Sequence, residues 1–283
     1  MIFVAGATGN VGSEVVRAVA AAGAPVRALV RDPGKARLPE GAVAVSGDLD
    51  RPDTLAGALK DVRAAFLLPG HADMPGLLAE VRRAGVEHVV LLSGGSAGSG
   101  DMANAVTRYM AQSEAAVRES GVPWTFLRPS GFMSNALRWL PQIQAGDEVR
   151  VPFPNVAVAC VDPFDLGAVA ARALLGDGYR GEILWPTGPE ALLPADQVAV
   201  LARVLGRDLR AVGLADEEAR AEMTAAMPAE YVDAFFDFYV DGSLDESIVR
   251  PTVQEVTGRA PRTFEQWANA HADRFRPMQG NDS

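Results

Sequence analysis

The sequence predicts an α/β fold: a doubly wound parallel sheet covered by helices on both faces, with a smaller C-terminal α/β lobe. Three observations predict it. Short apolar runs of strand type alternate with helical patterns through the first half of the chain. The first apolar run reaches a glycine-rich turn and continues at once as a helix. Helical patterns end at glycines such as Gly85 and Gly121, which commonly stop helices. Short apolar strands joined by helices are typical of a parallel sheet buried on both faces.

In chain order, the predicted strands of the first half are residues 2–5, 26–30, 42–46, 64–68, 89–92 and 124–127. Helices are predicted near residues 52–60, 75–84 and 103–120. Right-handed connections then place the first strand in the middle of the sheet. The segment 93–100, SGGSAGSG, is expected to be a mobile loop after the fifth strand.

After residue 128 the alternation loosens. The pattern predicts further strands at residues 156–161 and 181–185, and helical stretches at residues 163–175, 194–205, 214–241 and 263–275. We therefore predict two domains. Residues 1–150 carry the glycine turn, and residues 151–283 complete the sheet and form a smaller substrate-binding lobe.

Composition excludes several classes of protein. The net charge is −10 and the pI is about 4.9, whereas proteins that bind nucleic acids or anionic membranes need a basic face. Neither a transmembrane run nor an export signal is visible, so we expect a cytoplasmic protein. The single cysteine, Cys160, cannot form an internal disulfide and is expected to be a packed thiol in a strand. The three histidines lack metal-ligand spacing, so no metal site is predicted.

The glycine turn at residues 6–12, GATGNVG, predicts a dinucleotide site. The first turn of a helix has backbone N–H groups without internal partners, and its dipole favours an anion. Gly6 allows the sharp turn, Gly9 lets a pyrophosphate approach the backbone, and Gly12 lets helix and strand pack closely. Thr8 and Asn10 add side-chain donors. The first domain is therefore predicted to bind NAD(P).

The end of the second strand favours NADP(H) over NAD(H). An acidic side chain there accepts from a ribose hydroxyl, whereas an arginine pairs with a 2′-phosphate. Arg31 holds this position, and Lys35 can reach the same phosphate. Asp32 is one residue away, so a shift of register would favour NAD(H). After the third strand, Asp48 can accept from the adenine amino group, and it can also be an N-cap or turn residue before the following helix.

Five motifs in order carry a family resemblance: GATGNVG at 6–12, VRDPGK at 30–35, GDL at 47–49, ESGVPWTFLRPSGFMSN at 119–135 and VTGRAPRTFEQWANAH at 256–271. With them the chain resembles the NmrA-like branch of the atypical short-chain dehydrogenase/reductase superfamily. The resemblance implies a Rossmann-type fold and NAD(P)H binding. Members include reductases of quinones, dyes and related aromatic compounds, and also nucleotide-sensing regulators without catalysis. The expected cofactor contacts are Gly6, Thr8, Gly9, Asn10, Val11, Gly12, Arg31, Lys35, Asp48, Leu49, Leu68, Pro69, Ser93, Gly94, Met110, Pro129 and Phe132.

One departure from the superfamily concerns its Tyr-x-x-x-Lys pair, in which the tyrosine protonates an alkoxide and the lysine lowers its pKa. Counted back from Glu114, the two positions hold Val106 and Met110, and no Tyr-x-x-x-Lys occurs in the chain. Tyr109 is one residue off, about a hundred degrees around the helix. Reduction of a quinone gives a delocalised phenolate-type product, which needs little help from a positioned acid. An unactivated ketone would need it.

The candidate catalytic residues are His71, Tyr109 and Asn135. His71 follows the fourth strand and could deliver a proton, although an exposed loop histidine is the other interpretation. Asn135 could bind a carbonyl or cap a helix. Tyr231 or Tyr239 could stack on a flat substrate. The stretch 94–98 fits G-x-S-x-G, but the loop continues after the serine where a hydrolase requires a helix.

The sequence thus predicts an NADPH-dependent reductase of a quinone, enone or similar conjugated aromatic carbonyl compound. The alternative is a non-catalytic NADP(H)-binding redox sensor, which the missing Tyr and Lys favour. The aromatic C-terminal lobe favours the enzyme. We expect a small aromatic or quinone-like partner, no nucleic acid and no membrane, and a monomer or homodimer.

Overall fold

Seven parallel strands form the central sheet of the computed structural model, which describes residues 1–276. The strands are β1 Ile2–Val4, β2 Val26–Leu29, β3 Ala42–Val45, β4 Ala64–Leu67, β5 His88–Leu92, β6 Trp124–Leu127, β7 Glu148–Val151, β8 Ile183–Leu184 and β9 Arg210–Gly213. The sheet order is β3-β2-β1-β4-β5-β6-β8, and β7 pairs with β9 in a separate parallel sheet. The predicted α/β fold with the first strand in the middle is confirmed.

The helices cover this sheet and build the rest of the molecule. They are α1 Asn10–Ala21, α2 Met74–Arg83, α3 Ala105–Glu119, α4 Leu140–Ala145, α5 Pro163–Leu175, α6 Pro194–Leu205, α7 Asp216–Ala226, α8 Ala229–Tyr239, α9 Thr252–Thr257 and α10 Phe264–Phe275. Short 3₁₀ helices lie at Pro52–Leu55, Gly95–Gly98 and Met133–Trp139. Strands β1, β4 and β5 are buried along their whole length, as expected for strands covered on both faces.

The chain forms two compact units. The first contains residues 1–129, 163–186 and 251–259, and holds the seven-stranded sheet with α1, α2, α3, α5 and α9. Helix α1 packs on α5, where a Cβ atom added at Gly167 would lie 2.7 Å from the Glu14 backbone. Among the described residues, the second unit contains 130–162, 187–250 and 260–276, and its largest core is built around Trp267 and Phe264. The division into domains at residue 150 stays a prediction.

Residues 156–161 were predicted as a strand, and that prediction is wrong. The backbone of this segment bonds to three different stretches of chain in turn. Val158 pairs with Leu192, the Ala159 N–H donates to the Glu246 carbonyl at 2.8 Å, and Val161 bridges to Phe132. Because no single neighbour runs alongside it, the apolar run forms no ladder.

Three other elements differ from their predictions. The helix near 52–60 is reduced to the 3₁₀ turn Pro52–Leu55. The helical stretch 214–241 is broken at Pro228, which stands directly before α8 and has no N–H to continue α7. The segment 93–100, expected to be a loop, contains the 3₁₀ helix Gly95–Gly98 with Ser96 buried.

Candidate functional site

The glycine turn after β1 forms an open cradle at the start of α1. Gly6 has φ +60°, and the Gly9 N–H donates to its carbonyl oxygen at 2.8 Å. Gly9 is the N-cap residue, and it has no side chain with which to cap the first helical turn. A Cβ atom at Gly12 would lie 2.1 Å from the Gly6 oxygen, so only glycine fits there. Thr8 and Asn10 are exposed around this turn. The cradle therefore suits an anion that takes up backbone N–H groups.

The tip of β4 carries Leu68, a predicted cofactor contact, and packs on the same turn. A Cβ atom at Gly6 would lie 2.7 Å from Leu68 Cδ1, so the tip of β4 packs directly on the turn. Val11 is buried beneath the first turn of α1, and Leu49 is buried after β3. Pro69, next to Leu68, is partly exposed. The structure thus brings Leu68 to the predicted diphosphate cradle.

The loop after β2 presents Arg31 to solvent, while the neighbouring Asp32 is engaged within its own loop. Asp32 Oδ1 accepts from the Gly34 N–H at 3.1 Å, and its Oδ2 lies 3.2 Å from Lys35 Nζ. The Lys35 side chain is 87% exposed, so this pair is loosely held. Arg31 is therefore available to a ligand, whereas the competing carboxylate already has partners.

The loops after β3 and β4 are tied together by Asp50. Its Oδ1 accepts from the Ala72 N–H at 2.9 Å and lies 3.2 Å from His71 Nδ1. The Ala72 amide and the His71 ring hold the pKa of Asp50 below its usual value. His71 Nε2 is buried and has no hydrogen-bond partner among residues 1–276. His71 is thus oriented by a carboxylate, which sequence reasoning did not foresee. Asp48 is a turn residue and not an N-cap, since its Oδ1 accepts from the Asp50 N–H at 3.0 Å.

Helix α3 carries Tyr109 and Met110 toward two different loops. Met110 Cε would lie 3.2 Å from a Cβ atom at Gly94, so Met110 packs on the tip of β5. Tyr109 Cδ2 would lie 3.2 Å from a Cβ atom at Gly70, beside the loop of His71. Ser113 joins the same two elements, since its Oγ accepts from the Gly70 N–H at 2.9 Å. The structure therefore groups Met110 with Gly94, and Tyr109 with the His71 loop.

A buried ion pair that the sequence analysis did not include fixes the tips of β5 and β6. Arg128 donates from Nε and Nη2 to the two oxygens of Glu114, at 2.8 and 2.6 Å. Ser93 Oγ donates to Glu114 Oε1 at 2.7 Å, so its hydroxyl points inward. Glu114 is 1% exposed and Arg128 is 8% exposed. Two features of the sequence could have indicated this pair: Glu114 is a charged residue in the middle of a predicted helix, and Arg128 is a charged residue at the end of a predicted strand. Pro129, the next residue, is buried.

In the second unit, Phe132 precedes the 3₁₀ helix Met133–Trp139, on which Asn135 is exposed. Asn135 Nδ2 would lie 3.9 Å from a Cβ atom at Gly131, and it does not cap this helix. Burial raises the pKa of the Cys160 thiol to about 12, which makes it a poor nucleophile. Gln197 Nε2 donates to its sulfur at 3.8 Å.

Within residues 1–276, no three side chains of His, Cys, Asp or Glu come together in a group that could hold a metal ion. No helix in this part of the chain is long and apolar enough to cross a membrane.

A family model described as NAD(P)H-binding matches residues 6–162, which include the glycine turn. The chain is 42% identical to the (4-alkanoyl-5-oxo-2,5-dihydrofuran-3-yl)methyl phosphate reductase of Streptomyces griseus, over 98% of this chain and 100% of that protein. It is 38% identical to the NAD(P)H azoreductase of Xenophilus azovorans, over 97% of this chain and 99% of that protein.

Solved structures of reductases share the fold. The NADPH-dependent quinone oxidoreductase from Escherichia coli complexed with NADPH superposes with a TM-score of 0.79 at 20% identity, covering 96% of this chain and 100% of that one. The Citrobacter sp. triphenylmethane reductase complexed with NADP(H) superposes with a TM-score of 0.77 at 22% identity, covering 96% and 99%. At these identities the similarity concerns the fold alone.

Proposed function

The chain belongs to the NAD(P)H-binding family and is an NAD(P)H-dependent oxidoreductase, and from this premise we propose that it uses NADPH to reduce a conjugated carbonyl compound. The substrate class is a quinone, an enone or a related flat acceptor. The family resemblance that the sequence motifs carry is confirmed by the matching family model.

The open cradle at the glycine turn is the observation that carries the cofactor assignment. Its uncapped helix start suits a diphosphate, and Gly12 leaves the room that the close approach needs. Arg31 is exposed at the end of β2, where a guanidinium can pair with a 2′-phosphate. Because Asp32 accepts from the Gly34 N–H within its own loop, we infer a preference for NADPH.

The substrate class rests on two observations. The Streptomyces griseus relative is named for a substrate whose ring carries a 5-oxo and a 4-alkanoyl group, and the Xenophilus azovorans relative is named an azoreductase. The chain also lacks the Tyr-x-x-x-Lys pair that an unactivated ketone requires. Both observations favour an acceptor that spreads the incoming charge over a conjugated system.

We assign the following roles in cofactor binding to the residues of the site. The first turn of α1 binds the diphosphate, and Arg31 with Lys35 binds the extra phosphate. Gly94 and Met110 border the nicotinamide, and the Glu114–Arg128 pair holds the strand tips that carry this border. When bound, NADPH supplies a hydride to the substrate. The protein contributes position and exclusion of water more than acid–base chemistry.

The test follows NADPH oxidation at 340 nm with a panel of acceptors: a benzoquinone, an acyl butenolide, an azo dye and cyclohexanone. We expect turnover with one or more of the conjugated acceptors and none with cyclohexanone. The variant Gly12→Val serves as the control, since a side chain there collides with the Gly6 oxygen and should abolish NADPH binding. Tight NADPH binding without oxidation by any acceptor would instead indicate a nucleotide sensor.

A further inference from the structure

The loop between β4 and α2, residues 68–72, begins directly on the glycine turn, and we call it the β4 loop. Its first residue, Leu68, packs on Gly6, where an added Cβ atom would lie 2.7 Å from Leu68 Cδ1. Leu68 also packs against a hydrophobic core cluster of the first unit. The position of the β4 loop therefore affects the shape of the cradle in which the diphosphate is expected.

Two amides of the β4 loop donate to side chains from other elements. The Gly70 N–H donates to Ser113 Oγ at 2.9 Å, and the Ser113 hydroxyl donates to the Tyr109 carbonyl at 2.7 Å. The Ala72 N–H donates to Asp50 Oδ1 at 2.9 Å. Gly70 has φ +81°, and a Cβ atom there would lie 3.2 Å from the Tyr109 ring, so a glycine lets the loop approach α3. The β4 loop is thus held by α3 on one side and by the loop after β3 on the other.

Asp50 receives two hydrogen bonds from the β4 loop at one oxygen. Besides the Ala72 amide, His71 Nδ1 lies 3.2 Å from Asp50 Oδ1, and this contact requires the proton on Nδ1. The Ala72 amide, and after it the His71 ring, lowers the pKa of Asp50, so the carboxylate is ionised at neutral pH and both bonds are charge-assisted. The His71 side chain is 19% exposed and that of Asp50 is 54% exposed. The carboxylate therefore holds a mostly buried ring and a backbone amide from the surface.

Resting on the proposed function, we propose that Asp50 is a positioning residue for NADPH, which holds the β4 loop so that Leu68 stays against the glycine turn and the diphosphate cradle is formed in advance. Without the two bonds to Asp50, the loop gains conformational freedom that NADPH must remove on binding, which lowers its affinity. Asp50 acts on the cofactor through the loop. The same geometry makes His71 a link between the loop and Asp50, which agrees with a reaction that needs little help from a positioned acid.

The first experiment compares two ligands by calorimetry with the full-length protein. NADPH carries the diphosphate, whereas adenosine 2′,5′-bisphosphate carries the adenosine and the 2′-phosphate but only one phosphate at the 5′ position. Asp50→Ala should weaken NADPH binding about fivefold or more and change binding of the bisphosphate by less than about twofold, because the loop packs on the diphosphate turn. Asp50→Asn keeps an oxygen that accepts both bonds and should bind NADPH within about twofold of the wild type.

Asp53→Ala is the matched control, since it removes the same charge from an exposed position on the 3₁₀ helix Pro52–Leu55. It should bind both ligands as the wild type does. Equal NADPH affinity in Asp50→Ala and the wild type would overturn the proposal. Equal losses for both ligands in Asp50→Ala would overturn it too, because the effect would then not act through the diphosphate.

The second experiment follows hydrogen exchange of the free protein by mass spectrometry. In Asp50→Ala, a peptide that covers the β4 loop should exchange faster than in the wild type, because the Ala72 amide has lost its acceptor. Peptides from β1 and β5 should exchange at the wild-type rate, since their amides bond within the sheet. Unchanged exchange in the β4 loop of Asp50→Ala would contradict the role of Asp50.

A second variant keeps the proposal testable if Asp50→Ala does not fold. Ser113→Ala removes the acceptor of the Gly70 amide and should give the same pattern: weaker NADPH binding and nearly unchanged binding of the bisphosphate. Wild-type NADPH affinity in Ser113→Ala would then count against the positioning of the loop.

Failure of the two proposals can be told apart. If the wild type binds and oxidises NADPH and Asp50→Ala binds it equally well, the positioning role is wrong and the reductase function stands. If the wild type binds NADPH, reduces no acceptor, and Asp50→Ala binds NADPH more weakly, the reductase function fails and the positioning role stands. If the wild type binds no NADPH, both proposals fail.

Discussion

Among single residues, Arg31 is the one on which the proposed preference for NADPH depends most. We predict that Arg31→Ala weakens NADPH binding about tenfold or more and changes NADH binding by less than about twofold, because only NADPH carries the 2′-phosphate. Calorimetric titration with both nucleotides measures this. Arg37→Ala removes the same charge from an exposed position in the same loop and should leave both affinities near those of the wild type. Equal losses of NADPH and NADH binding in Arg31→Ala would remove the case for a phosphate contact.

His88 shows how one buried residue shapes the pH dependence of stability. Burial, with the charges of Arg180 and Arg63, lowers its pKa to about 4. Thr125 Oγ1 donates to the Tyr179 carbonyl at 2.6 Å, so it accepts from His88 Nε2 at 3.0 Å. The folded state therefore keeps a neutral imidazole that the unfolded chain would protonate near pH 6.5.

We predict that this histidine makes the protein less stable as the pH falls from 6.5 to 4, because the unfolded state binds the proton first. The loss should reach roughly 3 kcal/mol at the lower pH, from a pKa difference of about 2.5. Urea unfolding at pH 7 and pH 4 measures it. His88→Gln should lose correspondingly less stability over this range. His271→Gln, the control on α10, should follow the wild type. A His88→Gln curve parallel to that of the wild type would show that His88 does not cause the loss.

At the scale of elements, the Glu114–Arg128 pair joins α3 to the end of β6, and Ser93 adds the end of β5. Both side chains are buried, so removal of either one leaves the other as an unpaired charge in the interior. We predict that Glu114→Gln lowers the free energy of unfolding by about 3 kcal/mol, because it leaves the Arg128 charge buried without its partner. Urea unfolding at neutral pH measures the change.

Two matched variants distinguish the cost of breaking this buried pair from the cost of removing an exposed charge. Arg118, whose side chain is 42% exposed, is the other charged partner of Glu114, and Arg118→Gln should cost less than about 1 kcal/mol. The double variant Glu114→Met with Arg128→Met should recover stability, since no unpaired charge remains. If Arg118→Gln proved as costly as Glu114→Gln, the explanation by burial would fail.

The elements also show which local signals are reliable. Strand β6 and the helices α5 and α6 have the predicted bounds, because an apolar run or a helical pattern coincides with a proline or glycine boundary. The predicted strand at 156–161 fails, because strand formation needs a neighbour that runs alongside, and none does. The pairing of β7 with β9 was not foreseen, since its partners lie about sixty residues apart in the sequence.

For the whole molecule, nucleotide binding should be visible as thermal stabilisation. NADPH at about 100 times its dissociation constant adds roughly 2.7 kcal/mol to the folded state. For a chain of 283 residues this raises Tm by about 4 °C. Differential scanning fluorimetry with NADPH, and with NADH at the same concentration, measures the shift. AMP, which lacks the diphosphate and the 2′-phosphate, serves as the control and should give a smaller shift. Absence of any shift with NADPH would contradict the dinucleotide site.

The sequence by itself determined the alternation of strands and helices, the glycine turn and the arginine that follows β2, because these depend on neighbouring residues and on the backbone freedom of glycine. Only the tertiary structure decided the rest. Glu114 with Arg128, Asp50 with His71, and Tyr239 with Glu246 meet through folding. Each pair joins residues from different secondary-structure elements or loops, and its strength depends on the burial that the fold supplies. Hydrophobic patterning specifies which residues enter the core, but it does not specify which polar groups will find each other there.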